Sequence, residues 1–167
     1  MSVNIVLTGL MGAGKSSVGR LLAEKLNNYG FVDIDEEIEK NEGMTIPEIF
    51  KTKTEEYFRN IETETIKHYA QQSNVIISIG GGAFESEINR EYLTSCGKVF
   101  YLYAPAEILY NRVKNQLNRP LLFCDNPLEK LKQLLEKREN NYKKSHYIID
   151  TSGKNIEETA DEILRKI

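Results

Sequence analysis

The chain lacks tryptophan and has only two cysteines, two histidines and four prolines among its 167 residues. Cys96 and Cys124 do not have the spacing of a metal site, and His68 and His146 are isolated. We therefore expect two free thiols, no disulfide framework and no cysteine or histidine metal centre. A long apolar run is also missing, so the sequence predicts no membrane-spanning helix.

Neither sign of charge is in large excess. The chain has 22 Lys and Arg against 25 Asp and Glu, a net charge of −3, which gives no electrostatic footprint for nucleic acid. The first residues lead directly into an apolar segment, without a basic flank or a cleavage site, so no signal peptide is indicated. The length is that of one domain. We expect a cytoplasmic monomer with one domain over residues 1–167 that binds neither nucleic acid nor a membrane.

Five short runs rich in Val, Ile, Tyr and Phe alternate with segments of helical periodicity. The runs cover residues 3–7, 31–34, 75–79, 99–103 and 147–149. Strands that alternate with helices form a parallel sheet, because each crossover places a helix on one face of the sheet. The pattern therefore predicts a three-layer α/β/α domain.

Capping signals locate four helix starts. Thr45 and Asn155 each stand three residues before a Glu, and Pro105 and Pro127 suit a first helical turn. The longest irregular stretch, at about residues 115–125, lies between two helices and is unusually apolar. Such a stretch is either a lid that closes over a ligand or a loop that packs on the core.

The segment Gly9-Leu-Met-Gly-Ala-Gly-Lys-Ser matches the phosphate-binding pattern G-x-x-x-x-G-K-[ST] between a predicted strand and a predicted helix. Glycines let backbone N–H groups face a phosphate, the lysine bridges β- and γ-phosphates, and the serine hydroxyl ligates Mg²⁺. The alternative is a glycine-rich turn without a ligand. The pattern predicts a nucleotide-binding loop whose contacts are Gly12, Ala13, Gly14, Lys15, Ser16 and Ser17.

Two aspartates follow in Phe31-Val-Asp-Ile-Asp. Alternation along a strand predicts that Asp33 and Asp35 point to one side. Near a phosphate site, one carboxylate could hold a metal-bound water and the other could accept a hydrogen bond from an attacking hydroxyl. The alternative is that Asp35 only caps a helix starting at Glu36.

The run at residues 75–79 ends in three glycines, Gly80, Gly81 and Gly82, where many P-loop ATPases carry an acidic residue. The missing acid argues against a motor-type or hydrolytic ATPase and moves the metal-supporting role to Asp33. Glycines can bring backbone N–H groups close to a ligand, although a flexible turn is the alternative.

Three arginines are candidates for binding an anion. Arg138 belongs to the apolar stripe of its predicted helix, so it needs an anionic ligand or a buried carboxylate as an ion-pair partner. Arg59 has Glu55 and Glu62 at helical spacing, and ion pairing on the helix surface would explain it without a ligand. Arg119 lies in the predicted lid, where it could reach phosphates or remain a solvated loop residue.

In type and order, these motifs resemble those of shikimate kinases across the whole chain. The resemblance is carried by the loop at residues 9–16, Phe31-x-Asp33-x-Asp35, Phe58-Arg59-x-Ile61-Glu62, Gly80-Gly-Gly82, Arg119-Pro-Leu-Leu122 and the segment at residues 138–142. Residues 115–118 and the short loop after Gly82 differ most from the family pattern.

The resemblance implies a kinase that transfers the γ-phosphoryl group of ATP to the 3-hydroxyl of shikimate, in aromatic amino-acid biosynthesis. It also implies a nucleoside-monophosphate-kinase-like fold with a five-stranded parallel sheet, and Mg²⁺ as cofactor. The expected products are shikimate 3-phosphate and ADP.

By this similarity, the site residues acquire roles. Asp35 would bind ring hydroxyls and accept the proton, while Arg59 and Arg138 would grip the shikimate carboxylate. Ser16 would bind Mg²⁺ directly and Asp33 through water. The remaining roles are pocket lining by Gly80, Gly81 and Gly82, stabilisation of phosphoryl charge by Lys15 and Arg119, and adenine contacts by Arg112 and residues 150–154.

Two other functions are compatible with a P-loop. A gluconate or nucleotide kinase could share the fold and use another acceptor. A nucleotide-binding switch would need guanine recognition, and Asp150-Thr-Ser-Gly has the D-x-x-G form of a GTPase. That motif follows the other motifs instead of lying between the P-loop and a base-recognition motif, and the sequence contains no Asn-Lys-x-Asp.

Overall fold

The computed structural model describes residues 3–116 and 123–167 and has a parallel β-sheet at its centre. In the described residues the strands are β1 (Asn4–Thr8), β2 (Gly30–Asp33), β3 (Val75–Ser78), β4 (Gly97–Tyr103) and β5 (Tyr147–Asp150). Their order is β2-β3-β1-β4-β5, and every neighbouring pair is parallel. All five predicted strands are present, with ends shifted by at most two residues.

Helices connect the strands and cover both faces of the sheet. All residues of β1 and β3 are buried, and successive strand residues point to opposite faces, so neither face is open to solvent there. The predicted three-layer architecture is confirmed. The α-helices are α1 (Lys15–Lys25), α2 (Ile34–Glu42), α3 (Ile46–Thr52), α4 (Glu55–Ala70), α5 (Glu87–Cys96), α6 (Ala106–Val113), α7 (Pro127–Tyr142) and α8 (Ile156–Leu164).

The predicted caps are largely those observed. Thr45 and Asn155 each form a reciprocal capping box with the glutamate three residues later. Asn126 caps α7, with Pro127 as its first residue. Pro105 precedes the first turn of α6 by one residue instead of lying within it. None of the helices in the described ranges is long and apolar enough to cross a membrane.

The segment at Asp33 and Asp35 differs from the prediction. Strand β2 ends at Asp33, and Asp35 already lies in helix α2, so the strand alternation that was to align the two carboxylates does not apply. Asp33 is itself the cap, because its Oδ1 accepts hydrogen bonds from the N–H groups of Asp35 (3.1 Å) and Glu36 (3.4 Å). The alternative that gave the capping role to Asp35 was therefore also wrong.

The order of the strands places three predicted motifs at one edge of the sheet. In the parallel register Leu7 pairs with Ser78, and Ser78 pairs with Asp33. The segments that follow β1, β2 and β3 consequently leave the sheet side by side. Crevices at the carboxyl ends of parallel strands are the usual ligand sites of such sheets.

The predicted lid lies mostly outside this description. Residues 117–122 fall outside the described residues, and Arg119 is among them. Both the lid at residues 115–125 and the role of Arg119 therefore stay predictions.

Candidate active site

The loop between β1 and α1 has an unusual backbone that only glycine adopts readily. Gly12 and Gly14 have φ angles of 80° and 91°, and Gly14 occupies the N-cap position of α1. A Cβ on Gly12 would also lie 2.9 Å from the Leu109 carbonyl oxygen. The Lys15 ammonium donates hydrogen bonds to the carbonyl oxygens of Gly9 (2.8 Å) and Leu10 (3.3 Å), which holds its side chain back over the loop.

This loop precedes the N-terminus of an 11-residue helix. The unpaired N–H groups and the dipole of a helix N-terminus favour an anion. Ala13 is buried, and Ser16 and the exposed Ser17 lie in the first turn of α1. The arrangement matches the predicted phosphate-binding loop and places the Ser16 hydroxyl at its rim.

Asp33 links this loop to the neighbouring strands. Its Oδ2 accepts hydrogen bonds from the hydroxyls of Ser16 (2.5 Å) and Ser78 (3.0 Å), while its Oδ1 caps α2. Ser78 was missed by sequence reasoning, although a polar residue at the end of the apolar run before three glycines was a visible signal.

A hydroxyl and a carboxylate are the hard oxygen donors that Mg²⁺ prefers. Within the described ranges no group of three or more His, Cys, Asp or Glu could hold a metal ion by itself. Ser16 and Asp33 therefore fit an ion that takes its remaining ligands from phosphate oxygens and water, which is how Mg²⁺ binds in nucleotide sites. They do not form an all-protein cage.

The three glycines after β3 each lie against one charged side chain. A Cβ would come within 2.7 Å of Asp35 Oδ1 if built on Gly80, and within 2.8 Å of Arg59 Nη2 if built on Gly82. One built on Gly81 would be 3.1 Å from Arg138 Nη1. The structure thus brings together three predicted site residues from α2, α4 and α7. The Gly80–Gly82 segment, called here the glycine loop, is their common contact.

Arg59 forms ion pairs with both predicted glutamates. Its Nη1 is 2.8 Å from Glu62 Oε2, and its Nε is 3.6 Å from Glu55 Oε1. Glu62 is only 1% exposed. The pair of Arg59 with Glu62 is therefore not the ion pair on the helix surface that would explain Arg59 without a ligand. Burial raises the pKa of Glu62 to about 7, against the opposing effect of the adjacent Arg59 guanidinium.

Arg138 is nearly buried, with 13% of its side chain exposed, as its place on the apolar face of α7 predicts. Its Nε lies 3.3 Å from Glu85 Oε2, in the 3₁₀ helix Ala83–Glu85 that follows the glycine loop. Arg138 therefore has the ion-pair partner that an explanation without a ligand requires. Its Nη1 atom still faces Gly81. Glu85 was missed because no local spacing connects it to α7.

Arg112 bridges two loops near the P-loop. It donates hydrogen bonds to the Gly12 carbonyl (3.2 Å) and to the hydroxyl (3.0 Å) and carbonyl (2.8 Å) of Thr151. In the same turn the Ser152 N–H donates a hydrogen bond of 2.8 Å to Asp150 Oδ1. The predicted adenine region is therefore contiguous with the P-loop.

Comparison with known proteins gives a consistent match over nearly the whole chain. The family model for shikimate kinase matches residues 11–167. A shikimate kinase from Thermodesulfovibrio yellowstonii is 45% identical over 163 residues, 98% of this chain and 94% of that protein. The structure of an Acinetobacter baumannii shikimate kinase in complex with shikimate has a TM-score of 0.93 at 42% identity and covers 99% of this chain and 92% of that one.

The fold is shared more widely. A gluconokinase from Sinorhizobium meliloti aligns with a TM-score of 0.64 at 22% identity, covering 98% of this chain and 90% of that one. At this identity the likeness concerns the fold alone. It agrees with the predicted P-loop kinase architecture.

The raised pKa of Glu62 predicts how stability depends on pH. Between pH 4.5 and about 7, the Glu62 carboxyl has lost its proton in the unfolded chain but keeps it in the folded protein. The free energy of unfolding therefore falls as the pH rises through this window, by roughly 1.4 kcal/mol per unit of separation between the two pKa values. We expect Glu62→Gln, which cannot titrate, to show a smaller fall in denaturant unfolding experiments at about pH 5 and about pH 8.

Glu64→Gln is the matched control, because Glu64 is an exposed residue of the same helix. It should keep the wild-type pH dependence. An equal fall in the wild type and Glu62→Gln would contradict the role given to burial.

Proposed function

The chain belongs to the shikimate kinase family, and we propose that the glycine loop and its three charged neighbours form the shikimate site of this kinase. As a shikimate kinase, the protein transfers a phosphoryl group from ATP to a hydroxyl of shikimate. We take the acceptor to be the 3-hydroxyl, so that the products are shikimate 3-phosphate and ADP.

One observation carries the proposed site: a carboxylate and two guanidinium groups from separate helices meet on one stretch of glycine backbone. A guanidinium group pairs with a carboxylate in fork geometry, and a carboxylate accepts hydrogen bonds from hydroxyls. Shikimate carries both groups on one small ring. Arg59 and Arg138 would bind its carboxylate, while Asp35 would bind its hydroxyls.

The position of Asp35 suits a proton acceptor. Its Oδ1 is buried against Gly80, and its N–H is tied to Asp33, which in turn bonds the P-loop residue Ser16. A chain of two contacts thereby connects the proposed base to the nucleotide loop. A substrate fixed by its carboxylate would present a hydroxyl between Asp35 and the phosphates, and such positioning can contribute several kcal/mol to catalysis.

Nucleotide binding is assigned to Gly12, Ala13, Gly14, Lys15, Ser16 and Ser17, with Arg112 near the base. Lys15 would exchange the carbonyl oxygens it now contacts for phosphate oxygens, and Arg119 is proposed to act with it on the transferring group. Ser16 would hold Mg²⁺ directly and Asp33 through a water molecule. When bound, Mg²⁺ neutralises negative charge on the phosphates. The monomeric state and the cytoplasmic location stay predictions.

We expect ADP formation from Mg-ATP to require shikimate in a coupled ADP-release assay. Gluconate and a nucleoside monophosphate serve as control acceptors, and GTP as the control donor. ADP release that is no faster with shikimate, but rises with another acceptor, would overturn the proposed substrate. Preferential binding of GTP would instead favour a nucleotide switch.

Asp35→Asn should keep nucleotide binding and lower the shikimate-dependent turnover by about 100-fold or more, since the amide cannot accept the proton. The measurement is kcat in the same assay, with ATP affinity determined separately. Near-normal turnover would remove Asp35 from the mechanism.

Arg138→Ala should stay folded and raise the KM for shikimate by about 10- to 100-fold, because a charge-assisted hydrogen-bonded contact is lost. The KM for ATP should change little. Arg165→Ala is the control, because Arg165 is an exposed residue at the end of α8. Unchanged shikimate kinetics in Arg138→Ala would refute the carboxylate clamp.

A further inference from the structure

Tyr142 is a buried residue that the proposed mechanism does not use. It is the last residue of α7, one helical turn after Arg138, and its side chain is fully shielded from solvent. Its hydroxyl donates a hydrogen bond of 2.5 Å to the carbonyl oxygen of Gly81. A side chain from the substrate-binding helix is thereby anchored to the middle residue of the glycine loop.

The same hydroxyl lies near Arg138. The Arg138 guanidinium opposes the effect of burial on the pKa of this hydroxyl, and the hydroxyl itself donates to the Gly81 carbonyl. A Cβ built on Gly81 would have two near neighbours, Arg138 Nη1 at 3.1 Å and the Tyr142 hydroxyl at 3.5 Å. Glu85 pairs with the guanidinium from another side, its Oε2 3.3 Å from Nε, although Nε has no hydrogen-bond partner among the described residues.

We propose that the Tyr142 hydroxyl is a positioning group for substrate binding, which holds the Arg138 guanidinium and the Gly81 backbone at a fixed separation. The inference rests on the proposed function, because it concerns how the shikimate carboxylate is gripped. Tyr142 does not touch the substrate. It acts through Arg138 and Gly81, which contact the substrate in this proposal, by holding them in the arrangement that binding requires.

The surroundings of Tyr142 suit this role. Its ring packs against the Tyr101 ring, with centroids 4.8 Å apart, so the ring has little freedom to move. Burial raises the pKa of Tyr142 to about 12, with a smaller opposing effect from Arg138. The hydroxyl therefore remains protonated and can donate to Gly81 throughout the neutral range. A group ordered before binding lowers the entropy cost when the ligand arrives.

Tyr101 provides a matched control in the same core. It is as deeply buried as Tyr142, but within the described parts of the chain its hydroxyl has no hydrogen-bond partner. Tyr101→Phe and Tyr142→Phe remove the same atom from adjacent rings. Only Tyr142→Phe removes a hydrogen bond to the glycine loop, at the glycine that Arg138 also faces.

The experiment compares steady-state kinetics of the wild type and both variants, with thermal unfolding followed in parallel. Tyr142→Phe should raise the KM for shikimate by about tenfold, as expected when a buried hydrogen bond no longer positions a binding group. Its KM for ATP should stay within about twofold of the wild type, because the P-loop contacts are unchanged. Tyr101→Phe should alter neither constant.

A second readout uses the primary alcohol made by reducing the carboxylate of shikimate. This acceptor lacks the group that Arg138 grips, so Tyr142→Phe and the wild type should have nearly the same kcat/KM for it. The KM values do not depend on the amount of folded enzyme, and assays at reduced temperature preserve the comparison where Tyr142→Phe is less stable.

The outcomes separate the two proposals. No shikimate-dependent turnover in the wild type would refute the proposed function itself. With an active wild type, an unchanged shikimate KM in Tyr142→Phe would overturn the positioning role. So would a loss confined to kcat, or an equal loss with the alcohol, since either result describes a purely structural residue.

Discussion

The close approach of charged side chains to bare backbone is the constraint on which the site depends. Three helices direct Asp35, Arg59 and Arg138 at the glycine loop. A Cβ would collide with Asp35 at Gly80 and with Arg59 at Gly82, and would crowd Arg138 at Gly81. With larger residues there, the charged groups would have to move outward, and a small ring could no longer contact all of them. The absence of side chains at three consecutive positions thus sets how closely the three charged groups approach the backbone.

The second constraint is electrostatic. Two guanidinium groups near one small pocket repel each other and are partly desolvated, so each needs a negative partner before any ligand arrives. Glu85, from the segment after the glycine loop, and Glu62, from the helix of Arg59, supply these partners, and Glu62 is ionised above its raised pKa of about 7. Because these carboxylates contact single nitrogens, other donors of the planar guanidinium groups can still serve a ligand.

The sequence predicted those features that depend on neighbouring residues. The P-loop, the capping boxes and the five strands follow from local chemistry, and the structure agrees with them. The second strand was predicted one residue too long, because the Asp33 carboxylate caps α2 and the strand ends earlier than its apolar pattern indicated. The contacts of Glu85 with Arg138, of Ser78 with Asp33 and of Tyr142 with Gly81 join distant segments, and hydrophobic periodicity carries no information about such pairs.

The bridge made by Arg112 has a consequence for the order of folding. It joins Gly12 in the first loop to Thr151 beyond β5, two points that are distant along the chain. Contacts of such long sequence separation close slowly, because the intervening chain must lose its entropy first. The region proposed to contact adenine includes Thr151, which follows β5, so it depends on the pairing of β5 with β4. A nucleotide that binds only the folded chain would stabilise this long-range contact together with the rest of the fold.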